Sequence, residues 1–176
     1  MQIYSFLINF AIKSLTLITD EHYAIKSLTL MTDEHYMKMA LREAEEALKA
    51  GEVPIGAVIV SGDRVVGKGH NLVEMLGDVT AHAEMQAITA AAESLGGKDL
   101  TDCTLYVTVE PCAMCAAALG WAQIGRIVYG APDEKRGYRK MYGSERGPLH
   151  PRTSITGGVL AAECGALMSD FFKSLR

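Results

Sequence analysis

Three side chains with metal-ligand chemistry and one carboxylate stand at spacings that a single site can use. His82 is followed two residues later by Glu84, and Cys112 and Cys115 lie in Pro111-Cys112-Ala113-Met114-Cys115. Thiolate sulfur and imidazole nitrogen suit zinc, and two cysteines three apart at a helix start can face one point, where the helix dipole favours their thiolates. With His82 they make three protein ligands and leave a fourth tetrahedral position for water, the mark of a catalytic zinc site rather than a structural one. Zinc lowers the pKa of such a water to about 7. Glu84 is too near His82 along a helix to be taken as a fourth ligand, but it is placed to accept and return the water's proton. An acid in a first helical turn is explained by the dipole alone; the cysteines turn the balance towards chemistry.

The remaining candidates have simpler readings. Cys103 and Cys164 lack a partner at metal spacing and read as small buried hydrophobes. Four cysteines are too few for a disulfide scaffold, which points to a reducing cytoplasm. His22 and His35 read as surface residues, and Trp121 and the methionines as core. His70, at a strand end, and His150, before Pro151, are secondary candidates for substrate contact.

Positioning the four site residues requires helix starts beside strand ends. From Thr32, a cap followed by Asp33 and Glu34, a helix is expected with Met37, Leu41, Ala44 and Leu48 at helical spacing, ended by Gly51 and Pro54. Ile55 to Ser61 and Arg64 to Asn71 read as a hairpin turning at Gly62-Asp63. A loop through Gly77 and Asp78 leads to a helix opened by Thr80, carrying His82 to Leu95 and closed by Gly96-Gly97. Strand Thr104 to Glu110, a small-residue helix Cys112 to Gln123 behind Pro111, and strand Arg126 to Ala131 come next. Alternation of strand and helix makes the class α/β with three layers, because parallel neighbours need a crossover connection. Residues 132–153 read as a long polar loop, and Val159 to Leu175 as a closing amphipathic helix.

The chain has 176 residues, 49% hydrophobic and 22% charged, enough for one folded domain with its own core. Its net charge of −4 excludes a generally nucleic-acid-coating surface. The charge is uneven: residues 131–176 carry eight Lys and Arg against five Asp and Glu. The segment is a solvated loop on its simplest reading and an anion-binding rim on the other. Residues 11–23 recur as 24–36 with only Ile18 against Met31 changed. One short tandem copy is not a solenoid, and Ile3 to Ile12 is too short to span a membrane and lacks the features of a secretory signal. A recent duplication or a mis-set start fits best, so 1–30 is expected to be a non-functional extension and 31–176 the zinc-dependent domain.

His82-x-Glu84 with Pro111-Cys112-x-x-Cys115 is the known signature of zinc-dependent nucleobase deaminases. From Met31 onward the chain resembles the bacterial tRNA adenosine deaminases of the cytidine-deaminase-like superfamily. The likeness is carried by VPIGAVIV (53–60), Asn71, DVTAHAE (78–84), VEPCAMCAAAL (109–119), IGRIVYGA (124–131) and ECGALMSDFF (163–172). It implies a cytidine-deaminase-like fold: a five-stranded mixed sheet with helices on both faces, in three α/β/α layers. It also implies a homodimer, zinc as cofactor, and hydrolytic deamination of adenosine to inosine at the tRNA wobble position. Under it, Asn71 would hydrogen-bond the flipped base or its ribose, Ala81 and His82 would line the base pocket, and Asp133 would meet the neighbouring nucleotide. Lys135, Arg136, Arg139 and Lys140 would face phosphates of the anticodon arm, with Phe171 and Phe172 beside the rim. The segment Lys135 to Ser154 departs from the family's pattern, and Val79 stands where many members have proline. A deaminase of a free base or nucleoside, such as guanine or cytosine, shares the metal motif without needing a basic rim and stands as the alternative. A non-catalytic zinc-stabilised module is a third reading, which Glu84 opposes.

Overall fold

The structure, a computed structural model, describes residues 33–176. His22, the proposed boundary at Met31 and most of the duplicated tract lie outside the described residues.

Helix α1 spans 33–49. Its buried stripe is Tyr36, Met37, Ala40, Ala44 and Ala47, whereas Leu48, expected inside, is 40% exposed. Alanines win the inner face because α1 lies directly on Gly56: a Cβ there would strike the Ala40 carbonyl and the Ala44 amide. Strands β1 (Gly56–Ser61) and β2 (Arg64–His70) form the expected hairpin, with Gly62 in the left-handed conformation at φ +58. The stretch that reads as a loop contains a short helix, α2 (Val73–Leu76). Then come α3 (Ala83–Leu95), β3 (Cys103–Val109), α4 (Ala113–Trp121) and β4 (Arg126–Ala131).

Residues 132–153 are less loop-like than their polarity implies. They contain α5 (Tyr138–Tyr142), and Tyr138 and Leu149 are buried in the core. Strand β5 (Ser154–Gly157) and α6 (Ala161–Ser174) complete the domain.

The sheet order is β2-β1-β3-β4-β5. Strand β1 runs antiparallel to both β2 and β3, while β3, β4 and β5 are parallel. This is the five-stranded mixed sheet. Strands β2, β3 and β4 all point the same way, so the segments leaving their C-terminal ends gather at one end of the sheet. Helices α3 and α4 cover one face through Ala87, Ala91 and Leu119 against Ile59, Leu105 and Ile127. On the other face, Met37 of α1 and Cys164 of α6 join a cluster with Val58, Tyr106 and Val128. Each fully buried Leu or Ile in these layers contributes about 1.5–3 kcal/mol.

Two core expectations are corrected. Trp121, at the end of α4, is 87% exposed, and Met75 and Met141 are also exposed, because each sits on the outward side of a helix end or a short helix. Cys103 and Cys164 are buried as expected, and His35 is exposed. Among the described residues no helix is long and apolar enough to cross a membrane.

Candidate active site

His82 and Cys112 are the N-cap residues of α3 and α4, each with extended backbone (φ −73, ψ 156 and φ −71, ψ 171). Caps leave the helical path, so their side chains turn back over the helix start. Cys115 lies in the first turn of α4, and Glu84 in the first turn of α3. Both helix starts open at the same sheet end, and α3 sits close on β2 because Gly69 has no side chain: a Cβ there would collide with the Ala83 carbonyl.

His82 Nδ1 stands 3.6 Å from Cys112 Sγ and 3.6 Å from Cys115 Sγ, and the three ligand atoms all lie within 4.8 Å of one another. Zn–S bonds of about 2.3 Å and a Zn–N bond of about 2.0–2.1 Å at tetrahedral angles separate nitrogen from sulfur by about 3.6 Å. The residues therefore fit a tetrahedral zinc ion with one position not supplied by these side chains. The sulfurs are free thiols, not a disulfide. Hydrogen bonding from Cys115, then from His82, draws Cys112 down to about 4 despite its burial, while the Cys112 thiolate and burial push Cys115 upward. Its hydrogen bond to Cys112 raises His82. Burial pushes the Glu84 carboxyl up to about 7, close to the value at which a proton is both taken and given at neutral pH.

The other predicted residues fall around this centre with differing engagements. Asn71 succeeds β2, is buried, and donates from Nδ2 to Glu52 Oε2 at 2.9 Å. Ala81 is buried next to His82, with its carbonyl taken by the Leu72 amide. Asp133 lies just past β4, and its Oδ1 accepts the backbone N–H groups of Lys135 and Arg136, both at 2.9 Å. The side chains of Lys135, Arg136 and Lys140 are exposed.

The Arg139 guanidinium grips the buried carboxylate of Glu110, Nε to Oε1 at 3.1 Å and Nη2 to Oε2 at 2.9 Å, and lies 5.3 Å over the Tyr129 ring. His70 is taken by Glu43 at 3.2 Å, and the His150 ring accepts the Arg152 amide, so neither ring is committed to the metal site. Phe171 and Phe172 pack edge to face on α6, with Phe172 exposed.

The segment after β4 is joined to the metal-ligand turn: Cys112 and Gly137 form an antiparallel bridge, and the Tyr138 amide donates to the Pro111 carbonyl at 2.9 Å. Glu52 and Glu110 are the two residues that motif reading misses. Each is an acid adjoining an apolar strand segment (Glu52 before VPIGAVIV, Glu110 ending TLYVTVE), and a buried acid needs partners, which was the available signal.

A three-layer α/β/α fold whose two helix starts bring together one imidazole, two thiols and a buried carboxyl defines a zinc-dependent deaminase. The family model for the cytidine and deoxycytidylate deaminase zinc-binding region matches residues 30–131. The tRNA-specific adenosine deaminase of Streptococcus pyogenes serotype M18 is 42% identical over 144 residues, 80% of this chain and 89% of that protein. That of Bacillus subtilis is 43% identical over 144 residues, 80% and 88%. A solved tRNA:A34 deaminase, studied for A-to-I editing at the wobble position of transfer RNA, superposes with TM-score 0.70 at 41% identity, covering 76% of this chain and 98% of its own. The chain belongs to the tRNA-specific adenosine deaminases within the zinc-binding cytidine and deoxycytidylate deaminase family.

Proposed function

We propose that this protein deaminates adenosine to inosine at the wobble position of tRNA by hydrolysis. The observation that carries the reading is the joining of the metal-ligand turn at Pro111–Cys112 to Gly137–Tyr138, in the segment that carries the exposed Lys135, Arg136 and Lys140. Its support is the 42% identity to enzymes of that name.

His82, Cys112 and Cys115 would hold the zinc ion, which when bound would supply the Lewis acidity that makes water acidic enough to serve at neutral pH. The Glu84 carboxyl is the group that would take a proton from the attacking water, deliver it to the purine ring nitrogen and then protonate the departing amine. The C6–N bond breaks, a C6–O bond forms, and ammonia leaves. Asn71, with one amide N–H spent on Glu52, offers its remaining polar edge to the flipped base or its ribose. Ala81, beside His82, lines the base pocket. Asp133 meets the neighbouring nucleotide, and Lys135 and Arg136 neutralise phosphates of the anticodon arm.

The deaminase domain runs from Met31, with 1–30 outside it. Four free cysteines, two of them ligands, suit work in the reducing cytoplasm. A solvent-exposed Trp121 at the end of α4 supports a homodimer, since large isolated aromatics are enriched at interfaces.

The deciding experiment incubates the zinc-loaded protein with an anticodon stem-loop bearing A34 and, separately, with guanine, cytosine and free nucleosides, reading products by mass spectrometry. Inosine in the RNA supports the reading. Consumption of a free base with none in the RNA overturns it.

A further inference from the structure

We propose that Arg139 is a positioning residue for substrate binding, and that its fork on Glu110 docks the 133–140 backbone onto the zinc-ligand turn; this rests on the RNA reading of the site. The Glu110 carboxylate accepts four N–H groups: the Asp133 amide at 3.2 Å, the Arg139 amide at 3.2 Å, Arg139 Nε at 3.1 Å and Arg139 Nη2 at 2.9 Å. Glu110 directly precedes Pro111 and Cys112, so one side chain ties the metal turn to the segment after β4 at both ends. Between those ends, Asp133 Oδ1 holds the amides of Lys135 and Arg136, and Gly137 bridges Cys112.

Gly137 shows how close the fit is. A Cβ at that position would lie 2.6 Å from both Glu110 Cδ and Oε1, so the carboxylate occupies the space a side chain would need. Tyr129 backs the guanidinium at 5.3 Å. A bidentate fork fixes orientation as well as distance, which a lysine ammonium does not. Glu110 is outside the metal-ligand group, so the pair acts on the segment carrying Lys135 and Arg136 without touching the ion.

The test compares the zinc-loaded parent with Arg139→Ala, Arg139→Lys and Glu110→Gln, measuring zinc content, kcat and KM on the anticodon stem-loop, and hydrogen exchange of the 133–140 amides. Arg139→Ala is expected to keep its zinc and most of its kcat while KM rises about tenfold or more, as when phosphate contacts are lost. Arg139→Lys is expected to leave KM raised. Exchange at Lys135, Arg136 and Arg139 should speed up in both. Glu110→Gln preserves side-chain volume and should show the same KM shift, which covers the case of an unstable alanine variant. Parental KM in Arg139→Ala or Glu110→Gln, full rescue by lysine, or a fall in kcat at parental KM overturns the proposal. Unchanged exchange overturns it whatever the substrate, whereas a parent that makes no inosine overturns the RNA reading alone.

Discussion

The side-chain amide of Asn71 donates to Glu52 at 2.9 Å, and both residues are buried. The other Glu52 oxygen accepts the Met75 amide at 2.8 Å, so one carboxylate both orients Asn71 and tethers α2. Glu52→Gln puts a donor where an acceptor is needed, leaving a buried N–H unpaired at a cost of about 1–3 kcal/mol. The variant is expected to melt earlier and to lose about tenfold in kcat/KM with zinc content unchanged, that being roughly one misaligned hydrogen bond in the transition state. Parental kcat/KM on the stem-loop removes Glu52 from the orientation of Asn71.

Glu84 is buried beside the metal ligands but is not among them. Removing its carboxylate should therefore separate chemistry from metal binding. Glu84→Ala is expected to lose about a hundredfold to ten-thousandfold in turnover, the range for a general acid/base, while holding zinc as the parent does. Metal analysis and inosine formation on the same sample decide it, and a variant that retains its rate ends the proton-shuttle assignment.

The metal-ligand cluster was the most legible part of the sequence because its residues are local: Cys112 and Cys115 share one turn, His82 and Glu84 another, and each pair stands at a helix start. The strands were readable for a similar reason, since apolar runs such as Ile55 to Ser61 and Arg126 to Ala131 announce burial directly. What escaped depends on partners remote in sequence. Glu110 meets Arg139 across 29 positions, and Asn71 meets Glu52 across 19. Nothing near Arg139 shows that its charge is spent internally. Tyr138 hides its ring in a segment whose neighbours are charged, which made a polar loop of a piece of core. Trp121 inverted the same rule: hydrophobicity said inside, but the end of α4 faces outward.

With Arg139 engaged by Glu110, the cations left for RNA phosphates include Lys135 and Arg136, both exposed. Each phosphate contact released lowers the slope of log affinity against log salt by about 0.7 for single strands. Lys135→Ala and Arg136→Ala should each flatten the salt dependence of stem-loop binding by an amount of that order, and the double variant by the sum. Binding measured by fluorescence anisotropy across a salt series checks this, and slopes equal to the parent's place the phosphates elsewhere.

Trp121 at the end of α4 is 87% exposed, and aromatic residues are enriched at protein interfaces. The homodimer reading predicts that this ring is buried at the interface, so Trp121→Glu should put a charge there. Light scattering is expected to show the parent near twice the 19.0 kDa chain mass and the variant moving towards 19.0 kDa. A parent already at the single-chain mass ends the dimer reading.

Alkaline stability gives an independent check on the burial of Tyr138, Cys164 and Cys103. Burial pushes the Tyr138 phenol from 10.0 up to about 12 and the Cys164 thiol from 9.0 up to about 11, and it raises Cys103 as well. All three groups stay protonated in the folded protein after the unfolded chain has begun to release its protons. The unfolded state then binds fewer protons, so stability falls as pH rises. The stabilisation is complete below pH 9, the value for an unperturbed thiol, and is lost progressively as pH climbs through the folded values of about 11 and 12. Urea midpoints of the zinc-saturated protein should hold level from about pH 7 to 8.5 and decline above about 9, with Cys164→Ala shallower in the first part of the decline. A Tyr138→Phe variant should keep the thiol-driven decline and lose its steepening above about pH 10, at the cost of the hydrogen bond from the hydroxyl to the Glu145 carbonyl. Midpoints independent of pH up to about 11 would mean that neither Cys164 nor Tyr138 is shielded from water as the fold requires.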